Sequence, residues 1–223
     1  MNPTAAIVAG GLGTRMGAAT AQLPKPMLPV RGKPLLEHQL VWLKAQGFSE
    51  VALCLGYKAE AVRTHFGDGA KWGLKLSYSV EKEPRGTAGC ILDLKAKGDV
   101  LVVYGDLYPE IELAPLLDFH ARRREFAASL VLLNTDHPQD SDLARVEGDR
   151  IMEIYRGGNG SLALAAVWLV RSELLKLIPA DRTSVFGRDV FPLALKQGLP
   201  LGGCVMKGTL ADLGTPERLA RFS

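Results

Sequence analysis

The sequence predicts an α/β fold with three layers, a Rossmann-like arrangement in which a mainly parallel mixed central sheet is covered by helices on both faces. Short apolar runs alternate along the chain with segments of helical periodicity, which is typical of parallel sheets with crossover helices. With 223 residues, 47% of them hydrophobic, the chain is long enough to bury its own core. We therefore predict one domain over residues 1–223.

Strands are predicted where β-type apolar residues form short uninterrupted runs. In chain order these runs cover 5–9, 51–55, 74–80, 100–104, 127–133 and 162–170. Helices are predicted where apolar residues recur every three to four positions. They cover 34–46, 59–66, 87–95, 114–123, 172–177, 188–196 and 216–222. Pro34 and Pro216 suit the first turn of their helices, and Gly47 suits the end of the first.

Composition excludes several classes of protein. Lys plus Arg number 27 against 24 Asp plus Glu, a net charge of +3, and the one cationic run at 122–124 is typical of a solvated helix end. No nucleic-acid partner is expected. The cysteines at 54, 90 and 204 fit neither a zinc pattern nor a disulfide framework, so we predict buried thiols. The chain shows no basic leader and no apolar window of membrane-spanning length, and we expect a cytoplasmic protein without a membrane partner.

A glycine-rich turn, AGGLGTRMG at 9–17, directly follows the first predicted strand. Glycines at a strand end allow backbone N–H groups to point at one anion without obstruction by a Cβ atom. Dinucleotide-binding folds and nucleotide-transfer enzymes both use this geometry, and an ordinary tight turn also fits the spacing. At this point all three interpretations stay open.

Two carboxylates stand where ligands bind in open α/β sheets, beyond the carboxyl ends of the strands. Asp106 follows the strand at 100–104, and Asp212 precedes the helix that begins near Pro216. Two such carboxylates can share a Mg²⁺ ion with substrate phosphates and water. The alternative is that each aspartate caps the turn or helix that follows it.

Lys25 lies between Pro24 and Pro26 in the segment LPKPMLPV at 23–30. Three prolines make this segment stiff and extended, so the lysine is presented at a fixed point. A rigidly mounted cation ten residues after Arg15 suggests a second phosphate contact. The alternative is an ordinary surface lysine on a proline-rich loop.

The glycine turn followed by Pro24-Lys25-Pro26 resembles the signature of the sugar-1-phosphate nucleotidyltransferases, or NDP-sugar pyrophosphorylases. Within them, YSVEKEPRGTAG at 78–89, HPQDSDL at 137–143 and DLGTPERL at 212–219 resemble the D-glycero-D-manno-heptose 1-phosphate guanylyltransferase branch. The matches extend from residue 5 to residue 222. The resemblance implies the nucleotidyltransferase version of the predicted fold, and a reaction in which a sugar 1-phosphate attacks the α-phosphorus of an NTP and releases pyrophosphate.

The resemblance also implies roles for residues in the predicted site. Lys25 would lie between the α-phosphate and the sugar phosphate, and Asp106 and Asp212 would hold the Mg²⁺ cofactor, which offsets repulsion between the two anions. The triphosphate would be held by the turn, through Gly10, Gly11, Gly13, Thr14 and Arg15. Such transfer requires positioning and charge neutralisation more than covalent help from the protein.

The segment at 83–89 matches the family's E-P-L-G-T-A-G loop except at Arg85. Gly86 would let the backbone approach the base or ribose, and Thr87 can cap the helix that follows. Glu83 could accept hydrogen bonds from guanine, so GTP is the favoured NTP. The alternative is that Glu83 is a solvated turn residue.

Two departures from the family fall where the sugar phosphate should bind. Tyr155-Arg156 replaces a Glu-Lys pair, and Arg156 keeps the cation in a different geometry. Leu164, Ala165 and Ala166 replace an Asn-x-Gly element, which removes hydrogen-bonding capacity. We predict that Arg156, Leu164 and Ala166 border the sugar phosphate and alter the choice of sugar. The alternative is that residues 164–166 are core positions of a strand.

Three function classes remain. The first is the Mg²⁺-dependent nucleotidyltransferase, acting on an NTP and a sugar 1-phosphate, with a homodimer left open. The second is an oxidoreductase that binds NAD(P) through the glycine turn, although the predicted second strand ends at Gly56-Tyr57-Lys58 without the acidic ribose ligand. The third is a non-catalytic sensor of nucleotide sugars on the same fold.

Overall fold

The computed structural model describes residues 3–17, 19–94, 96 and 98–222, and for Arg15, Ala19 and Ala21 the backbone alone. The strands of this part of the chain are β1 (Thr4–Ala9), β2 (Pro29–Val30), β3 (Lys33–Pro34), β4 (Glu50–Leu55), β5 (Lys75–Val80), β6 (Val100–Tyr104), β7 (Leu107–Glu110), β8 (Ala128–Asn134), β9 (Asp142–Glu147), β10 (Arg150–Arg156), β11 (Leu162–Val170), β12 (Leu201–Val205) and β13 (Thr209–Asp212).

The α-helices are α1 (Ala19–Gln22), α2 (Leu35–Ala45), α3 (Ala59–Phe66), α4 (Gly86–Gly89), α5 (Ala114–Arg122), α6 (Ser172–Leu175), α7 (Phe191–Lys196) and α8 (Pro216–Ala220). Short 3₁₀ turns include Thr14–Met16, Lys25–Met27 and Cys90–Leu94, and a π-helical turn at Phe186–Val190 precedes α7. None of the described helices is long and apolar enough to cross a membrane.

The main sheet has the strand order β5-β4-β1-β6-β11-β8-β12-β10-β9. Strands β5, β4, β1 and β6 are mutually parallel, β11 runs against both β6 and β8, and β12 is again parallel to β8. Strand β10 runs against β12 and β9, so two of the described strands oppose the common direction. The predicted mixed, mainly parallel sheet is confirmed.

Both faces of the sheet are buried, because successive side chains of a strand point to opposite faces. Val103 packs with α2, α3 and α5, whereas its neighbour Val102 packs with the Cys90–Leu94 turn, α6 and α7. Both residues are fully buried. A third, small core joins β2, β7 and the segment around α8 through Val30, Tyr108 and Leu213.

The predicted strands are observed with ends shifted by one residue or less. The predicted helix at 59–66 is observed with both ends unchanged, and the other predicted helices are observed with changed ends. Helix α6 ends at Leu175, α8 ends at Ala220, and the helix expected at 87–95 is a short α-helix continued by a 3₁₀ turn to Leu94. Lys95 lies outside the described residues. The three cysteines are free and buried, and the arginines at 122–124 are exposed, as predicted.

Seven of the described strands were not expected from the sequence, namely β2, β3, β7, β9, β10, β12 and β13. Charged residues interrupt the apolar pattern of β9 and β10, and two glycines weaken that of β12. A Cβ atom on Gly203 of β12 would lie 2.8 Å from the Leu132 side chain, so close packing against β8 requires the glycine. These strands therefore depend on their neighbours in the sheet more than on local preference.

Candidate functional site

A cleft of about 260 Å³ lies at the carboxyl ends of the adjacent parallel strands β1 and β6. Its lining includes Gly11, Gly13, Thr14, Lys25, Pro26, Thr87, Tyr104, Gly105, Asp106 and Gly214. Six of the residues predicted for the site therefore border one cleft, namely Gly11, Gly13, Thr14, Lys25, Thr87 and Asp106.

The glycine turn has a backbone that only glycine adopts without strain. Gly13 and Gly17 have φ angles of +64° and +54°, on either side of the Thr14–Met16 turn. A Cβ atom on Gly13 would lie 2.9 Å from Cγ2 of Thr20, whereas one on Gly11 would meet none of the described atoms within 4 Å. Gly11 thus presents bare backbone to the cleft. The side chain of Arg15 lies outside the described part of the structure.

Gly10 packs against a carboxylate that the sequence analysis missed. A Cβ atom on Gly10 would lie 2.7 Å from Oε2 of Glu81, which directly follows β5. The Glu81 carboxylate accepts a hydrogen bond of 2.9 Å from the Arg85 backbone N–H, and burial raises its pKa. Glu83, the predicted base-reading carboxylate, is exposed. The rule that placed Asp106 at a strand end would also have found Glu81.

Lys25 and Asp106 form an ion pair at the cleft. Nζ of Lys25 lies 2.8 Å from Oδ2 of Asp106, and the two side chains are 12% and 25% exposed. Pro24 is extended (φ −68°, ψ 151°) and directs the chain into the turn that begins at Lys25. The interpretation of Lys25 as an ordinary surface lysine is therefore wrong.

Asp212 is brought beside Asp106 by the ribbon of β7 and β13. Asp212 pairs with Leu107 in that ribbon, and the Leu213 N–H donates to the carbonyl of Asp106 over 2.9 Å. Oδ2 of Asp212 accepts a 2.5 Å hydrogen bond from Nη1 of Arg218, and Oδ1 is buried without a hydrogen-bond partner among the described residues. Helix α8 is capped by Thr215, so the interpretation of Asp212 as its cap is wrong.

The two carboxylates fit a Mg²⁺ ion that substrate oxygens complete. Within the described residues, no group of three or more His, Cys, Asp or Glu side chains is placed to hold a metal. Mg²⁺ usually takes one or two protein carboxylates and fills its other positions with phosphate and water. The unpartnered Oδ1 of Asp212, on the strand beside Asp106, is an oxygen suited to that role.

Thr87 links the 83–89 loop to the cleft. Its hydroxyl accepts hydrogen bonds from Oη of Tyr104 (2.6 Å) and from the Phe186 N–H (3.3 Å), rather than capping α4 as expected. Burial raises the pKa of Tyr104. Gly86 has φ +79°, and a Cβ atom there would lie 2.4 Å from the Ser184 carbonyl oxygen. The loop is therefore held against the segment that precedes α7.

The residues predicted to border the sugar lie on β10 and β11. Arg156 is largely exposed, and its Nη1 lies 2.9 Å from Oδ1 of Asp142. Leu164 and Ala166 are half-buried and pack against the core, in a stretch of β11 where the register with β8 shifts. Ala166 has φ +53°, and the register of β11 with β6 places it close to the end of β6, near Tyr104. Both the sugar-binding and the core interpretations of residues 164–166 stay open.

A glycine turn, a fixed lysine and Asp106 at one strand-end cleft, with Asp212 on the ribbon beside Asp106, are typical of nucleotide-binding α/β proteins. The chain belongs to the nucleotidyl transferase family, whose model matches residues 4–223. The predicted membership is confirmed, and the NAD(P) oxidoreductase interpretation is wrong.

Curated relatives agree with this family, and a solved structure shares the fold. The chain is 34% identical over 98% of its length to a mannose-1-phosphate guanylyltransferase of Mycobacterium tuberculosis, and spans 63% of that protein. It is 44% identical over 50% of its length to a D-glycero-alpha-D-manno-heptose 1-phosphate guanylyltransferase of Campylobacter jejuni, and spans 51% of it. HddC of Yersinia pseudotuberculosis, solved with GMP-PN, shares the fold, with a TM-score of 0.83 at 24% identity over 99% of this chain and 98% of that one.

Proposed function

We propose that this protein is a Mg²⁺-dependent sugar-1-phosphate nucleotidyltransferase that converts an NTP and a sugar 1-phosphate into an NDP-sugar and pyrophosphate. One observation carries the proposal: the cleft at the end of β1 and β6 joins the glycine turn to the Lys25–Asp106 pair, with Asp212 on the adjoining strand. This set of groups suits the neutralisation and alignment of two phosphorylated substrates.

The backbone of the glycine turn and the cation of Arg15 hold the triphosphate and the departing pyrophosphate. Lys25 lies at the same cleft and contacts the α-phosphate and the sugar phosphate as the bond between them forms. Asp106 and Asp212 hold Mg²⁺, which when bound polarises the α-phosphate and offsets the charge of the substrates. The phosphate nucleophile is ionised at neutral pH, so the site needs no general base.

GTP is the proposed nucleotide. The curated relatives described above are named guanylyltransferases. Guanine presents two adjacent N–H donors, at N1 and N2, and a single carboxylate can accept a hydrogen bond from each. Glu81, half-buried beside Gly10, offers such a carboxylate at the end of β5, and the exposed Glu83 offers another two residues later. We therefore include both in the proposal and distinguish them by mutation below.

The proposed sugar substrate is a heptose 1-phosphate or a related sugar 1-phosphate, in the synthesis of activated sugars for polysaccharides or glycosides. Support comes from the names of the relatives and from the family motifs at 137–143 and 212–219. Arg156 would contact the sugar phosphate, with Leu164 and Ala166 forming an apolar wall. Such a wall selects by shape, with about 1–3 kcal/mol of discrimination per group.

The decisive experiment is a matrix of the four NTPs against heptose, mannose, glucose and amino-sugar 1-phosphates, read by pyrophosphate release. We expect the highest kcat/KM with GTP and an absolute dependence on Mg²⁺. A non-catalytic sensor would bind nucleotide or NDP-sugar in a calorimeter but release no pyrophosphate with any pair.

The setting of the enzyme is part of the same proposal. Nucleotides and sugar phosphates are cytoplasmic metabolites, so we place the reaction in the cytoplasm. A homodimer is the assembly to test, and sedimentation velocity at micromolar concentration distinguishes it from a monomer.

A further inference from the structure

We infer that Arg218 is a positioning residue for the metal site: it holds the Asp212 carboxylate by Oδ2 and so leaves Oδ1 as the oxygen that would take Mg²⁺. The inference rests on the proposed function, because it takes Asp212 as a metal ligand. Nη1 of Arg218 lies 2.5 Å from Oδ2 of Asp212, while Oδ1 of the same carboxylate is buried and has no hydrogen-bond partner in the part of the chain that the structure describes.

The two oxygens of Asp212 are therefore in different states. One is bound to a guanidinium, and the other is shielded from solvent and has no hydrogen bond. A lone carboxylate rotates readily about its terminal bond, because that torsion is broad. The Arg218 contact fixes this rotation and leaves one oxygen for a cation.

The backbone of Arg218 is itself held by the cap of α8. The Thr215 hydroxyl accepts a hydrogen bond from the Arg218 N–H, and Pro216 begins α8 directly after that cap. Leu219 and Phe222 anchor the same segment in the small core with Tyr108 and Leu213. The Leu213 N–H donates a hydrogen bond to the Asp106 carbonyl. The segment that contains Arg218 is therefore linked to both Asp106 and Asp212.

The direction in which metal affinity changes when Arg218 is removed distinguishes a positioning role from a simple effect of its charge. A guanidinium beside a metal site repels the metal, so removing its charge alone should strengthen metal binding. Loss of orientation has the opposite effect, since removing the groups that orient metal ligands typically weakens metal affinity about 10- to 100-fold. Weaker binding after removal of Arg218 therefore cannot come from the charge.

The test measures Mn²⁺ affinity by the EPR signal of free Mn²⁺, with α,β-methylene-GTP bound so that no transfer occurs. We expect Arg218→Ala to weaken Mn²⁺ binding about 10-fold or more. Arg218→Lys keeps the charge but not the planar fork and should fall between. Arg221→Ala is the matched control, because Arg221 is an exposed arginine at the end of the same helix.

Asp212→Asn separates this inference from the proposed function. If Asp212→Asn weakens Mn²⁺ binding while Arg218→Ala leaves it unchanged or makes it tighter, the positioning role is overturned and the metal site stands. If Asp212→Asn has no effect on Mn²⁺ binding, the assignment of Asp212 as a ligand fails, and the role of Arg218 fails with it. Thermal melts of each variant ensure that folded protein is compared, and Arg218→Lys carries the test if the alanine variant does not fold.

Discussion

The ammonium group of Lys25 lies 2.8 Å from Oδ2 of Asp106, a residue 81 positions further along the chain. A proposed phosphate ligand and a proposed metal ligand are thus paired directly in the structure. Arg218 of α8 and Asp212 of β13 form a second such pair. Each carboxylate of the proposed metal site therefore has its own cation, and each pair can be tested by itself.

Asp106→Asn should lower turnover about 100-fold or more, because loss of a group that stabilises transition-state charge typically costs several kcal/mol. The change keeps side-chain volume, so the protein should stay folded in a thermal melt. Pyrophosphate release across a Mg²⁺ titration measures the effect. Asp118→Asn, at an exposed position of α5, is the control and should behave as the parent. Near-normal activity of Asp106→Asn at low Mg²⁺ would remove Asp106 from the mechanism.

Arg15 and Lys25 should separate kinetically. Lys25→Ala should mainly lower kcat, because Lys25 is expected beside the α-phosphorus as it is attacked, whereas Arg15→Ala should mainly raise the KM for the NTP. Full steady-state kinetics with both substrates varied provide the measurement. The division of roles is wrong if both variants change only the KM for the sugar phosphate.

Glu81→Gln should reduce the preference for GTP over ATP more than Glu83→Gln does. An amide can accept only one of the two hydrogen bonds from the guanine N1 and N2 groups, and its own N–H₂ faces the other donor. A site that leaves a buried polar group unpaired discriminates strongly, so we expect a change in kcat/KM ratio of about 10-fold or more. The reverse order of the two variants would assign base recognition to Glu83.

Ala166→Gly should stabilise the protein, because Ala166 has φ +53° and glycine adopts that region without strain. A residue in the left-handed region costs of order 1 kcal/mol, which corresponds to a rise in Tm of about 2–4 °C for a domain of this size. Ala165→Gly is the matched control and should lower Tm, since Ala165 is not among the residues with positive φ. A Tm for Ala166→Gly below that of the parent would show that packing of the methyl group outweighs the strain.

Ala166→Gly also tests which sugar 1-phosphate the protein prefers. If Ala166 borders the substrate, Leu164→Asn combined with Ala166→Gly should raise kcat/KM for heptose 1-phosphate relative to smaller sugars, by restoring polar contacts. An unchanged preference in a folded double variant would assign residues 164–166 to the core alone.

The stability of the fold should decrease as the pH falls, because of His120. Its Nδ1 lies 2.8 Å from Oγ of Ser129 and its Nε2 lies 3.2 Å from Oδ2 of Asp99, at the opposite end of the sheet from the cleft. Burial lowers the pKa of His120, and the nearby Arg171 guanidinium lowers it further. The unfolded chain then binds a proton more readily than the folded one, so stability is full above the unfolded pKa of about 6.5 and is lost as pH falls toward the lower folded pKa.

Denaturant unfolding from pH 7.5 to 5 measures this dependence. His120→Gln should flatten the slope in that range, whereas the exposed His65→Gln should keep it. Equal slopes for the parent and His120→Gln would assign the acid sensitivity to other groups.

Much of the fold was predictable because it depends on sequence patterns that are only a few residues long. The backbone is restricted locally by the apolar run of β1, by the glycines that follow it and by the two prolines on either side of Lys25. The general rule that ligands bind at the carboxyl ends of strands then brought Asp106 to the site. The edge strand β9 and its neighbour β10 were not predictable in this way, because their charged residues reduce the apolar signal and they join the sheet by pairing with β11 and β12, which are later in the sequence.

The sequence by itself determined the class of the fold, the glycine-rich turn and the chemical types of the candidate site residues, because these depend on backbone preference and side-chain chemistry over a few residues. The tertiary structure decided which of them meet. It pairs Lys25 with Asp106, and the ribbon of β7 and β13 places Asp212 beside Asp106. It also packs Glu81 against Gly10. Each of these contacts joins segments that are far apart in the chain, and only the packing of the sheet and its covering helices brings such segments within hydrogen-bonding distance.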